Sequence, residues 1–141
     1  MQFDDDYPSC LETYATLRIF SEKLSAAEIA VALGLSATES FSRGDFFGSK
    51  GRIRRHSGWL LSTQGLVTSR DGRRHLAWLL DRLRNKAEGL ESLRKSGADL
   101  DISCYYLSVG QGGPIMSSEQ MLELGQLGLD VWWDVYFDSD I

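Results

Sequence analysis

Residues Thr13–Phe20 read TYATLRIF, with Ala15, Leu17 and Ile19 alternating against Tyr14, Thr16 and Arg18. Strand side chains leave on opposite faces at a period of two, so this pattern predicts a strand with one face buried. The segment after it decides the fold. Ser25-Ala-Ala-Glu28 has the spacing of a capping box, in which the hydroxyl and the carboxylate satisfy free N–H groups of a helix's first turn. A helix is expected from Ala26 to Leu33, with Ile29 and Leu33 facing inward and Gly34 closing it in the left-handed conformation. The pattern returns near the other end as Ser117-Ser-Glu-Gln120, then Met121, Leu124 and Leu127, then Gly128. Leu33-Gly34-Leu35 and Leu127-Gly128-Leu129 each lead into an extended segment, so two related strand-helix-strand units are expected.

Between these units, Ser36–Asp45 reads as an edge strand or an extended loop. Phe46–Gly58 mixes Gly48, Gly51 and Gly58 with Lys50, Arg52, Arg54, Arg55 and His56, an exposed basic hairpin or loop leading into a strand over Trp59–Thr63. Asp71 is placed to cap a long helix whose Leu76, Leu79, Leu80, Leu83, Ala87 and Leu90 recur at helical spacing, with Gly89 dividing it and Gly97 ending it. Asp101–Val109 returns to strand character, with Ile102, Cys104 and Tyr106 on one face and Ser103, Tyr105 and Leu107 on the other. In the last strand, Asp130–Phe137 (DVWWDVYF), the wholly apolar set Val131, Trp133, Val135 and Phe137 should take the core. Trp132, Asp134 and Tyr136 are then forced outward. The order β-α-β-β-α-β-α-β predicts an α+β fold: a ferredoxin-like split βαβ core extended by a further αβ unit, forming one mainly antiparallel sheet with helices on one face.

A chain of 141 residues, 43% hydrophobic and 25% charged, is sized for a single domain over 1–141 with a core built without metal or disulfide, and residues 1–12 read as a flexible acidic N-terminal segment. No run reaches the roughly 18 apolar residues of a membrane span, and the start MQFDDD lacks the basic and apolar regions of a signal peptide, so a cytoplasmic location is expected. Cys10 and Cys104 stand far apart without a CxxC, and with two histidines there is no zinc module, so no metal and no cofactor are expected. Net charge divides along the chain: −5 over 1–42, +8 over 43–95 and −8 over 96–141. The basic middle folding against the acidic end is the commoner use of such a division, recognition of a charged partner the other.

Thr13–Phe20, Leu33-Gly-Leu35 with Thr38, Arg43-Gly-Asp45, Ser57-Gly-Trp-Leu-Leu-Ser-Thr63, His75-Leu-Ala-Trp-Leu-Leu-Asp-Arg-Leu83 and Asp134-Val-Tyr136 form an ordered series over nearly the whole chain. In that series the chain resembles the bacterial domain-of-unknown-function family DUF4279. The resemblance implies a fold shared by small stand-alone bacterial proteins. It hands over no catalytic residue and no cofactor.

The candidate chemistries each lack a part. A nucleophile site would need Cys104, His75 or His56, and Asp134, but Cys104 lies on the inner face of its strand, where cysteine acts as a small hydrophobe, so no enzyme is expected. Gly110-Gln-Gly-Gly113 has the context of an anion cradle, yet no Lys or Arg follows Lys95 to complete it. The cluster Lys50, Arg52, Arg54, Arg55, Arg70, Arg73 and Arg74 lacks a stacking platform, which disfavours nucleic acid as a partner; the alternative kept open is an anion-, nucleic-acid- or small-ligand-binding module using Lys50, Arg52, Arg54 and Arg55. The outward set Tyr14, Arg18, Tyr105, Trp132, Asp134 and Tyr136 has the aromatic and charged composition of a protein-recognition surface. The expectation is a non-enzymatic interaction protein, immunity-like or inhibitor-like, taking a protein partner such as a basic toxin or nuclease, with self-association also open.

Overall fold

A computed structural model describes residues 1–138. The chain is an α+β domain with four helices and a mixed, mainly antiparallel five-stranded sheet. In chain order the elements are β1 (Cys10–Ser21), α1 (Ala26–Leu33), β2 (Glu39–Phe41), β3 (Phe46–Phe47), β4 (Arg52–Ile53), β5 (Ser57–Ser62), α2 (Gly72–Leu83), α3 (Ala87–Lys95), β6 (Asp99–Ser108), α4 (Ser118–Leu127) and β7 (Asp130–Phe137). The sheet runs β2-β5-β1-β6-β7; β1 is antiparallel to both β5 and β6, β2 is antiparallel to β5, and β7 is parallel to β6. β3 and β4 form a separate two-stranded ribbon.

Alternation sets the layers. Ala15, Leu17 and Ile19 of β1 are fully buried with Trp59 and Leu61 of β5 and Ile102 and Cys104 of β6, and the same core takes Ile29, Leu33, Leu76, Leu79, Leu80, Leu83, Leu90, Leu93, Leu124 and Leu127 from the four helices. Each buried leucine contributes about 1.5–3 kcal/mol, so this one cluster dominates the stability. The expected caps form: Ser25 accepts from the Glu28 N–H at 3.1 Å while Glu28 accepts from Ser25, and Ser117 and Gln120 repeat the exchange. Gly34 and Gly128 close α1 and α4 at φ 69° and 68°.

Several expectations need correction. The N-terminal segment is tied down: β1 already starts at Cys10, the Asp4 N–H donates to Asp71 at 2.8 Å, and Asp5 accepts from Arg74 at 2.7 Å. Its acids serve as partners for the basic start of α2, which a loose acidic tail would not. The stretch after Asp71 divides at 84–86, not at Gly89. Periodicity carried across the break because Leu90 and Leu93 face the same core as the leucines of α2. On β7, Val131 and Trp133 pack against the core, but Val135 is 40% and Phe137 75% exposed, because this outermost strand runs on past the cover that the core provides. Met121 is also exposed on α4. The basic middle meets the acidic end through Arg84–Glu123 at 3.3 Å and through Arg94, which donates to the Leu127 and Gly128 carbonyls.

Gly89 has another task. A Cβ there would lie 2.6 Å from the Ala32 carbonyl oxygen, so its absence lets α3 approach α1. Gly89→Ala should therefore cost about 1–3 kcal/mol through overpacking, although alanine is the better helix former. Gly125→Ala, in α4 with open space around it, should instead stabilise by about 0.5–1 kcal/mol. Paired thermal melts check the opposite signs.

Candidate functional site

The face of the sheet opposite the core carries the even-numbered residues of β1 from Glu12 on, the even-numbered residues of β7 and the odd-numbered residues of β6. Register fixes this: Tyr14 stands opposite Tyr105, which stands beside Asp134; Thr16 opposite Ser103, beside Trp132; Arg18 opposite Asp101, beside Asp130. Four of the six residues singled out in the sequence form one connected group. The Tyr14 and Tyr105 rings stack with centroids 4.8 Å apart and planes 14° from parallel, and Tyr105 meets Tyr136 at 5.5 Å. Tyr136 is hydrogen-bonded to Asp134, whose charge is the main cause holding its phenol above the ordinary range. Burial, then the neighbouring phenol and carboxylates, pushes Tyr14 in the same direction. Both phenols stay protonated in neutral solution and offer O–H donors.

Trp132 stands on the edge strand, 63% exposed, and Tyr136 beyond it is 51% exposed. Arg18 lies on the same face, but its guanidinium is spent on Asp101 in two bonds of 2.7 Å, which also holds it charged. With that cation neutralised, Glu12, Asp130 and Asp134 leave the face acidic. Asp101 and Asp130 share the parity of Tyr105 and Trp132 and were legible as members. Glu12 required the strand to begin before Thr13, which nothing in the alternation announced. Tyr14 and Glu12 also border a cleft of about 510 Å³ whose walls include Asp6, Gln64 and Arg70.

The basic segment forms the β3–β4 ribbon, with Phe46 opposite Ile53 and Phe47 opposite Arg52. Arg54 is not a free cation: its guanidinium lies 3.8 Å from the Phe41 ring centroid and 4.2 Å from that of Phe47. An aromatic platform therefore exists here, contrary to the sequence reading, but the protein's own arginine occupies it. Lys50, Arg52 and Arg55 have no carboxylate partner among the described residues.

The nucleophile candidates are kept apart. Cys104 lies on the core side of β6, its thiol pushed up to about 12 by burial, whereas Asp134 sits on the open face. Cys10 is raised to about 11, again mainly by burial. His75 is buried with Nδ1 on the Thr63 hydroxyl at 2.6 Å and Nε2 on the Ser69 carbonyl at 2.9 Å, so Nε2 carries the proton and both nitrogens are spent. Thr63 in turn accepts from the Ala15 N–H at 2.9 Å, linking α2 to β1. No group of three or more His, Cys, Asp or Glu among the described residues is arranged to hold a metal ion, and no helix among them is long and apolar enough to cross a membrane.

These features define a small α+β domain with an acidic, aromatic sheet face and a basic ribbon beside it. Within that class the chain belongs to the family described as a domain of unknown function, DUF4279, whose model matches residues 11–138. No curated protein matches the chain. No solved structure does so either.

His75 generates a pH test. Burial lowers its pKa below the ordinary 6.5, so the unfolded chain takes up the proton first as pH falls and unfolding is favoured. Well above pH 6.5 both states are neutral and nothing is lost. The melting midpoint should start to drop as pH falls through about 6.5, with stability falling by at most about 1.4 kcal/mol per pH unit from this one site, before the carboxylates titrate. Thermal melts of His75→Gln over the same range should lack that early decline, whatever its stability at neutral pH.

Proposed function

We propose that this chain is a non-enzymatic interaction protein, immunity-like or inhibitor-like, that works in the cytoplasm and binds a basic protein partner on its open sheet face. The observation that carries this reading is the contiguous ring series Tyr14–Tyr105–Tyr136 with Trp132 exposed beside it, on a face where Arg18 is already neutralised by Asp101. Tyr and Trp bury large areas at small entropic cost, and acids around them speed encounter with a basic surface. The scaffold in this reading is a ferredoxin-like split βαβ core with helices on one face, extended by α4 and β7; the strand order and two crossovers, β1 to β2 past β5 and β5 to β6 past β1, support it. Such a scaffold leaves one sheet face free for recognition.

The test uses the product of the reading frame adjacent to this one, where a cognate toxin would be encoded. Wild type should co-purify with it, and Trp132→Ala should weaken the complex by about 2 kcal/mol, roughly 30-fold in Kd, with an unchanged melting midpoint. A Trp132→Ala protein that melts lower and binds equally well would make the role of Trp132 one of packing alone and remove the reading.

A second reading is anion binding by the ribbon, favoured by the unpaired Lys50, Arg52 and Arg55. Binding to single-stranded nucleic acid should be weak, without sequence preference, and lost by orders of magnitude between about 50 and 200 mM salt. A tight complex, abolished by replacing Lys50, Arg52 and Arg55 with alanine, would rank this reading first.

A further inference from the structure

β7 is the outermost strand of the sheet: it pairs with β6 along Asp130–Phe137, and its other side meets no strand among the described residues. The pairing with β6 is regular from Asp101↔Asp130 to Ser108↔Phe137, without a bulge, and the strand carries no Lys, Arg or Pro. Sheets commonly blunt an exposed edge by shortening, bulging, proline or lysine. The opposite edge follows that rule, because β2 has three residues. β7 keeps eight, and Trp132, Val135, Tyr136 and Phe137 along it are all exposed. A long edge of unpaired backbone beside wet apolar side chains is suited to receive another strand.

Charge selects the strand. Asp130 and Asp134 project onto the open face at alternate even positions, next to Trp132 and Tyr136. An antiparallel second copy of β7 with its faces continuous would set Asp134 against Asp134, or against Asp130, in every second register, and would bring no cation in any. We propose that β7 takes up an extended basic segment of the partner protein as a sixth strand. Lys or Arg at alternate positions face Asp130 and Asp134 and lie over the rings of Trp132 and Tyr136, while the apolar residues between them cover Val135 and Phe137 on the other face. This deepens the proposed function and rests on it: the open face supplies the specificity, the edge supplies the backbone bonds.

The probe is a capped eight-residue peptide alternating Lys and Val, compared with its Glu-Val counterpart and with a Lys-Val peptide methylated on every backbone nitrogen. At low salt the Lys-Val peptide should bind and slow amide exchange within β7 at least 10-fold. The Glu-Val and N-methylated peptides, and the Asp134→Lys protein with the first peptide, should each bind at least 10-fold more weakly. Equal binding of the N-methylated peptide without slowed exchange in β7 overturns the strand addition and leaves recognition by the open face standing. Failure of the Lys-Val peptide to bind overturns it as well, while co-purification with the adjacent gene's product judges the broader reading separately. Exchange in β7 that slows with protein concentration alone would seat a second copy on the edge and overturn the proposal.

Discussion

The structure depends on one strand being hydrogen-bonded on both sides. β1 lies between β5 and β6, and its odd residues Ala15, Leu17 and Ile19 are sealed into the core. A strand fixed on both flanks cannot slip by one residue without turning its whole buried set outward. That constraint places Tyr14 and Arg18 on the open face, and through register it places Tyr105, Asp101, Trp132 and Asp134 there too. The open aromatic face is therefore a by-product of core packing in its position, though not in its composition.

The helices tighten the same constraint from the core side. Thr63 bonds both the backbone of β1 and the ring of His75 in α2, so a buried polar chain fixes where that helix meets the central strand. Buried polar groups are costly unless fully bonded, and here the ring nitrogens each find a partner. At the start of the same helix, Asp71 accepts from Asp4 and Arg73, and its own N–H donates to the Ser69 hydroxyl. The N-terminal residues are thereby drawn against α2 and complete the wall of the cleft beside Tyr14.

Much of this was legible because it depends on local periods. The capping boxes at Ser25 and Ser117, the bounds of β7 and the two faces of β1 follow from spacings of two and three residues. The misread places depend on partners distant in the chain. The duty of Gly89 requires α1 to be in place, since the clash that excludes a Cβ comes from Ala32. Arg54 looked like a member of a free basic cluster because the ring over it, Phe41, belongs to an edge strand too short to announce itself. Val135 and Phe137 alternate like core residues; their exposure is set by where the core's cover ends, which no pattern within β7 records. The tyrosine group was visible as a parity class, and its stacking was not.

The central position of β1 also has a consequence in time. It is the first strand among the described residues, yet Ala15 pairs with Cys104 and Leu17 with Ile102, partners that emerge long after it during synthesis. Sheets closed by such distant pairings form slowly, because the entropy of a long loop must be overcome before the contacts form. During synthesis TYATLRIF must wait as an unpaired strand with a bare apolar face, a form prone to stick to other nascent chains. The acids at 4–6, so near its start, give that waiting strand a like-charged neighbourhood that opposes association between copies until β5 and β6 arrive.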